Sequence, residues 1–203
     1  MIYNIIGVMS GTSLDGIDIA FVTFKLSKKW SFDLKKFKTI PYPIYWKKKL
    51  KRAINLNPIK LINLDKLYTE FLASKINLFI ENNHIKEIDA ICSHGHTIFH
   101  NPKEGTTFQI GNLPKLANLV NKKVVVNFRE QDVKLGGQGA PLVPIGDKLL
   151  FSDYKCFLNL GGFANLSLNK LNNFIAYDIC AVNTILNNLA QKLGKEYDFN
   201  GNF

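Results

Sequence analysis

Three stretches of the sequence bring together residue types able to do chemistry. The first is Ser10-Gly11-Thr12-Ser13-Leu14-Asp15-Gly16, followed by Ile17-Asp18. Gly11 and Gly16 let the backbone turn tightly, and the amide N–H groups with the hydroxyls of Ser10, Thr12 and Ser13 suit an anion nest for phosphate. An ordinary polar hairpin turn explains the same residues. If residues 17–24 are extended, Asp18 shares a face with Ala20, Val22 and Phe24, and Ile17, Ile19 and Phe21 take the other. A carboxylate on an otherwise apolar face needs hydrogen bonds or a magnesium ion. No Walker A or GxGxxG pattern occurs, and this turn joins two strands where a P-loop joins strand to helix.

The second stretch, Cys92-Ser93-His94-Gly95-His96-Thr97-Ile98-Phe99-His100, holds three of the four histidines. His94 and His96 have the spacing of metal ligands, with His100 or Cys92 as a third, but no nearby carboxylate completes the set. Its expected place at the C-terminal end of a strand equally suits hydrogen bonding to a sugar or phosphate, and packed structural histidines are the third reading. The last stretch runs from Phe128-Arg129-Glu130-Gln131-Asp132 to Gly136-Gly137-Gln138-Gly139-Ala140-Pro141. A solitary arginine, an aspartate three residues on and a flexible glycine loop suggest an anion held near a general base, with Asp132 taking a proton from water or a hydroxyl. The alternative is an i,i+3 pair between Arg129 and Asp132.

The elements that carry these groups follow from periodicity. Residues 3–9 and 17–24 read as a hairpin and residues 30–40 as a third strand, ended by Pro41 and Pro43. Helices are predicted around residues 44–55 and 58–83, the second with Leu61, Leu64, Leu67, Tyr68, Phe71, Leu72, Ile76 and Phe79 on one stripe. Residues 88–92 predict a short strand, 113–121 a helix, 124–128 a buried strand and 145–151 a helical segment. The order then restarts: strands at 156–160, 164–168 and 175–177, with turns at Gly161-Gly162 and Asn172-Asn173, then a helix over 183–193 stopped by Gly194. Alternating strands and helices imply an α/β sheet, and the restart implies a weak duplication.

The 203 residues, 46% hydrophobic and 21% charged, can bury a core. Three dissimilar cysteines without a CxxC support neither a disulfide framework nor a zinc knuckle, which fits a reducing cytoplasm. The first nine residues lack the basic region of a secretory signal, and no apolar run approaches the roughly 18 residues of a membrane span. Net charge is +10, yet only Arg52 and Arg129 of the 26 basic residues are arginine. Lysines interleaved with apolar residues read as solvated faces, so neither nucleic acid nor membrane is expected as a partner.

Taken in order, Gly7-Val8-Met9-Ser10-Gly11-Thr12-Ser13-Leu14-Asp15-Gly16-Ile17-Asp18, Ser93-His94-Gly95-His96-Thr97-Ile98-Phe99-His100-Asn101-Pro102, Phe108-Gln109-Ile110-Gly111, residues 136–144 and Leu158-Asn159-Leu160-Gly161-Gly162-Phe163-Ala164-Asn165 resemble the motifs of anhydro-N-acetylmuramic acid kinases. These belong to the actin/hexokinase-like ATPase superfamily, and the resemblance covers essentially the whole chain. It implies an α/β, actin-like (ribonuclease H-like) domain with a mixed sheet and flanking helices over residues 1–150, and the incomplete start of a second similar domain over residues 151–203. It also implies a cytoplasmic, ATP- and Mg2+-dependent kinase of peptidoglycan recycling that opens 1,6-anhydro-N-acetylmuramic acid with water and phosphorylates the freed O6. By the same resemblance Gly11, Thr12, Ser13, Leu14, Asp15, Gly16, Ile17 and Asp18 hold the ATP phosphates, with Asp18 facing magnesium. Asp132 activates the water, and His94, Thr97, Arg129 and Gln138 contact the sugar. The superfamily allows a homodimer.

The chain departs from the family pattern in places. Met9-Ser10 stands where actin-like kinases usually carry an aspartate, His96 where a glutamine commonly follows His-Gly, and Asn127 where an aspartate often precedes Phe-Arg. Tyr177-Asp178-Ile179-Cys180-Ala181-Val182-Asn183 keeps the Asp and Asn of an Asp-Thr-Gly-Pro-Gly-Asn-like motif but not its glycines and proline, so Asp178 also reads as a helix-start residue. Family members continue through the rest of the second domain. A truncated, non-catalytic nucleotide- or sugar-binding fragment is therefore the alternative expectation.

Overall fold

The computed structural model describes residues 1–170 and 173–203. The chain divides into two compact units, Met1–Ala140 and Pro141–Phe203.

In the first unit, β1 (Ile2–Ser10), β2 (Gly16–Leu26) and β3 (Trp30–Pro41) form an antiparallel meander. The helices α1 (Ile44–Arg52) and α2 (Pro58–Asn82) then lead to β4 (Ala90–Asn101), which returns parallel to β1. β5 (Thr106–Ile110) pairs antiparallel with β4, and after α3 (Lys115–Val120) the short β6 (Val124–Val125) pairs parallel with it. Sheet order is β3-β2-β1-β4-β5 with β6 on β4, a mixed sheet flanked by helices. α2 starts at Asn57, whose side chain accepts the Lys60 N–H at 2.9 Å, with Pro58 in the first turn. Its buried stripe, Leu64, Tyr68, Leu72, Ile76 and Phe79, belongs to one core with Ile6 and Val8 of β1, Ile17 and Ile19 of β2 and Ile91 of β4. Leu67 is 48% exposed, because a position next to Tyr68 is rotated about 100° from the stripe.

Two elements differ from expectation. The strand expected to end near Cys92 runs on to Asn101, so the histidine stretch lies within β4 and not at its end. The polar residues stay extended because β1 pairs beside them and β5 beyond them. The strand expected over 124–128 stops at Val125, since Asn127 takes a left-handed conformation (φ +62) that turns the chain into α4 (Phe128–Lys134).

The second unit comprises α5 (Pro144–Leu150), the antiparallel sheet β7 (Cys156–Leu160), β8 (Phe163–Lys170) and β9 (Asn173–Ala181), and α6 (Asn183–Lys192). The turn expected at Asn172-Asn173 rests on Asn172, outside the described residues. Gly194 ends α6 at φ +75, where a left-handed residue is required. Asp178 lies within β9, five residues ahead of α6, so it does not start that helix; Val182 occupies the cap.

Candidate phosphate and sugar site

β1 and β2 pair through Ser10↔Ile17, which leaves residues 11–15 as a connecting turn. Thr12, Ser13 and Asp15 are exposed, and among the described residues no hydrogen bond engages the amides of Thr12 and Ser13. Leu14 adopts φ +61 and donates its N–H to the Gly11 carbonyl at 3.3 Å. A left-handed leucine costs on the order of 1 kcal/mol, and packing of its side chain against the core offsets that and pins the turn. At Gly16 a Cβ would overlap the Ile40 carbonyl oxygen, so β3 approaches the end of the turn only because a glycine stands there.

Two members of this stretch are placed differently from expectation. Ser10 is buried, and its hydroxyl faces inward to the Tyr42 hydroxyl at 2.7 Å and His96 Nδ1 at 2.8 Å. Tyr42 in turn bonds the fully buried Tyr68 hydroxyl of α2. Ser10 therefore anchors the turn and leaves Thr12 and Ser13 as the available hydroxyls. Asp18 is exposed where a buried carboxylate was expected, because the Ala20 and Val22 face of β2 is only half-covered. Thr39 of β3 donates to its Oδ1 at 2.5 Å.

β4 carries one extra residue opposite β1: Val8 pairs with Ser93 but Ser10 with His96. Gly95 sits in this bulge at φ +72, and a Cβ there would lie 2.6 Å from the Ile110 carbonyl oxygen. The bulge sends neighbouring histidines to different tasks. His96 is 3% exposed and joins Ser10, and burial pushes its pKa down to about 4. His94 is half-buried, with Nδ1 at 3.0 Å from the Gly95 carbonyl and Nε2 accepting from Arg129 Nε at 3.2 Å and Nη2 at 3.1 Å. Burial lowers its pKa, and the adjacent guanidinium adds to that. With Nδ1 donating, His94 is neutral and its only lone pair points at Arg129, away from any metal.

Arg129 and Asp132 share α4 but do not pair with each other among the described residues. Asp132 is exposed and its Oδ2 accepts the Gly139 N–H at 2.6 Å, while its carbonyl takes the Gly137 N–H at 2.8 Å. A Cβ on Gly137 would overlap that carboxylate, with Asp132 Cγ at 2.6 Å. The glycine loop is thus wrapped around Asp132. Gln138 is exposed, and its backbone lies beside the His100 ring, whose Nδ1 is 3.0 Å from the Thr107 hydroxyl. Thr97 is half-buried on β4, with the Gln109 amide 3.5 Å from its hydroxyl.

The fold accordingly gathers His94, Arg129, His100, Asp132 and the Gln138 loop around β4 and α4. Asp18 stands apart on β2, with β1 between it and β4. Among the described residues no group of three or more His, Cys, Asp or Glu side chains is placed to hold a metal ion. Three participants escaped the sequence reading. Asp65 of α2 is 6% exposed and accepts the Gly111 N–H at 2.7 Å, and Tyr42 and Tyr68 complete the Ser10–His96 network. Asp65 sits beside Leu64 in the α2 stripe, and that polar intrusion was the available signal.

Comparison with known proteins matches this arrangement to one family model, anhydro-N-acetylmuramic acid kinase, over residues 3–203. The chain belongs to that family. Anhydro-N-acetylmuramic acid kinases fall in the actin-like ATPase superfamily, in agreement with the mixed sheet and flanking helices. A relative of that name from Pseudomonas fluorescens (strain Pf0-1) is 38% identical over 206 residues, covering 97% of this chain and 56% of the relative. One from Bacillus thuringiensis subsp. konkukian (strain 97-27) is 37% identical, with 97% and 56% covered. A third, from Pelagibacter ubique (strain HTCC1062), is 35% identical, with 98% and 57% covered. The chain spans just over half the length of these relatives. Among the described residues no helix is long and apolar enough to cross a membrane.

Proposed function

We propose that this chain supplies the phosphate-binding turn, the sugar contacts and the water-activating carboxylate of an ATP-dependent kinase acting on 1,6-anhydro-N-acetylmuramic acid in cytoplasmic peptidoglycan recycling. The family match over residues 3–203 carries this reading. Water gives a proton to the base and its oxygen bonds to the anomeric carbon. The bond from that carbon to O6 breaks, and O6 takes the γ-phosphoryl group with ADP as leaving group.

The amides of Thr12 and Ser13, free of internal partners, and their exposed hydroxyls are the proposed phosphate donors. Mg2+ characteristically binds through one or two carboxylates together with phosphate and water oxygens, so the exposed Asp18 fits a metal delivered with the nucleotide. Such an ion offsets charge on the transferring phosphoryl group. His94, Thr97, Arg129 and Gln138 are the proposed sugar contacts. Residues 1–150 are assigned to a first actin-like domain and 151–203 to the start of its pair, supported by the repeat of a three-strand meander followed by a helix. A homodimer remains part of the proposal.

Asp132 is proposed as the base. Its Oδ2 is spent on Gly139, which fixes the carboxylate and leaves Oδ1 for the water. Asp178 is the competing carboxylate, because its place on β9 removes the helix-capping role. Asp132→Asn and Asp178→Asn decide between them: formation of 6-phosphosugar is expected to fall by about 100-fold or more in Asp132→Asn. Unchanged turnover in that variant overturns the assignment, and loss in Asp178→Asn alone transfers the role. Binding of nucleotide and sugar without turnover by the 203-residue chain would favour the fragment reading, which its 56% coverage of relatives motivates.

A further inference from the structure

Residues 34–64 contain nine lysines and arginines and neither an aspartate nor a glutamate. The acids that bound this stretch are both engaged: Asp33 pairs with Lys35, and the buried Asp65 accepts the Gly111 N–H at 2.7 Å. α1 turns Trp46 and Leu50 to the core, which leaves Lys48, Lys51 and Arg52 on its exposed side. Among the described residues no carboxylate forms an ion pair with these three or with Lys60 in the first turn of α2, and Glu70, further along α2, is taken by Lys115 at 2.6 Å. The same surface is apolar between its charges. Ile44 on α1, Ile54 between the helices, and Ile59 and Ile62 on α2 are 55–73% exposed. Helical spacing puts Ile59, Ile62 and Lys66 on one side of α2. Beside them lies a groove of about 300 Å³, in which Leu56, Leu64 and Leu67 are apolar and Lys49, Arg52 and Lys60 supply positive charge. Single exposed isoleucines are ordinary, but four within residues 44–62, set among unpaired cations, make an amphipathic basic surface.

We propose that the outer surface of α1 and the first turns of α2 docks this protein on an anionic lipid bilayer. The lysines and Arg52 meet the phosphate headgroups, and Ile59 and Ile62 seat between them at the ends of the acyl chains. Charge alone pointed to no membrane; the isoleucines exposed among unpaired cations change that expectation. A bilayer fits the lysine bias, because a continuous sheet of negative charge attracts each nearby cation without needing the forked geometry of arginine. Nucleic acid would call for arginine forks and stacking aromatic rings, but Arg52 is the only arginine of the stretch and Trp46 is buried. An acidic protein would match the charge, yet lysine is depleted at protein–protein interfaces. Docking of this kind lays the protein on the surface and needs no spanning helix. It is independent of the kinase reading, since none of these residues belongs to the proposed phosphate or sugar contacts.

Co-sedimentation of the 203-residue chain with two kinds of vesicle tests this: phosphatidylcholine alone, and phosphatidylcholine with about one third phosphatidylglycerol. Partitioning onto the anionic vesicles is expected to be about tenfold or more the stronger, and to weaken as salt rises from about 0.1 M to about 0.5 M. The combined variant Lys48→Gln, Lys51→Gln, Arg52→Gln is expected to lose about tenfold or more on anionic vesicles. Ile59→Ser with Ile62→Ser keeps every charge and is expected to lose about fivefold or more. All five side chains are exposed, so an unchanged Tm shows that the variants are folded. Equal binding to both vesicles overturns the proposal, as does undiminished binding in the charge variant. Undiminished binding in the isoleucine variant reduces the contact to adsorption by charge and overturns it too. A single-stranded RNA oligonucleotide and polyglutamate are titrated in parallel. Tighter binding of either than of anionic vesicles reassigns the surface to nucleic acid or to an acidic protein. A lipid-free dimer abolished by the isoleucine variant reassigns it to a second copy of the chain, and either result refutes membrane docking.

Discussion

His96 does different work from His94 although one residue separates them. Its ring is buried against Tyr68 with centroids 6.1 Å apart, and its Nδ1 fixes Ser10 at the start of the β1–β2 turn. The unfolded chain binds a proton at this site below about pH 6.5, whereas the folded chain resists until about pH 4. Unfolding therefore takes up a proton across that window, and stability falls as pH drops from 6.5 towards 4. The expected loss is about 3 kcal/mol. Denaturant titration at several pH values checks this, and in His96→Gln the part of the slope that this ring contributes disappears while that of His94 and His100 remains. Gly137 offers a second test. Gly137→Ala forces a methyl into the Asp132 carboxylate and is expected to cost about 1–3 kcal/mol and to displace the glycine loop, measurable as a lower Tm and weaker sugar binding. At this scale the residue types were legible in the sequence and their directions were not. Ser10 and Thr12 look alike in sequence, but one is buried in a tyrosine–histidine network and the other faces solvent.

The elements were legible wherever an apolar pattern carried them. The β1–β2–β3 meander and α2 lie close to where periodicity put them, because each buries a regular face. β4 was underestimated because its second half is polar, and it is held extended by neighbours distant in sequence. Its bulge depends on Gly95. Gly95→Ala meets both a positive φ and the Ile110 carbonyl, so a loss of about 2–4 kcal/mol is expected in chemical denaturation, along with displacement of His94. The turn at Leu14 predicts the opposite balance. Leu14→Gly relieves left-handed strain but frees the turn from the core, so stability should change by less than about 1 kcal/mol while ADP affinity falls several-fold. Unchanged ADP affinity would show that the turn needs no anchor.

Across the whole molecule, burial is uneven. The first unit owns the contiguous core, whereas the buried hydrophobic residues of the second, among those described, are Ala164 and Ala190. Leu158, Leu160 and Ile179 on its strands and Ile185, Leu186 and Leu189 on α6 are each at least half exposed. So little buried apolar area gives the second unit little to offset the entropy of ordering its chain. Hydrogen exchange of the 203-residue chain is expected to show strong protection in β1, α2 and β4 and rapid exchange throughout β7, β8, β9 and α6. Comparable protection in both units would contradict that distribution. Sequence motifs revealed the family because they are local strings, but the imbalance between units was hidden from them. Apolar residues occur in both halves, and only packing shows which of them find partners.

The central claim is that these motifs serve a kinase that opens its sugar with water before phosphorylating it. The most direct measurement is mass analysis of the sugar product formed in oxygen-18 water from ATP, Mg2+ and 1,6-anhydro-N-acetylmuramic acid, using the protein at the full length its reading frame encodes. The predicted product carries phosphate on O6 and one heavy oxygen on the anomeric carbon. A phosphorylated sugar without the heavy oxygen, or ADP release with no phosphosugar, would contradict the account.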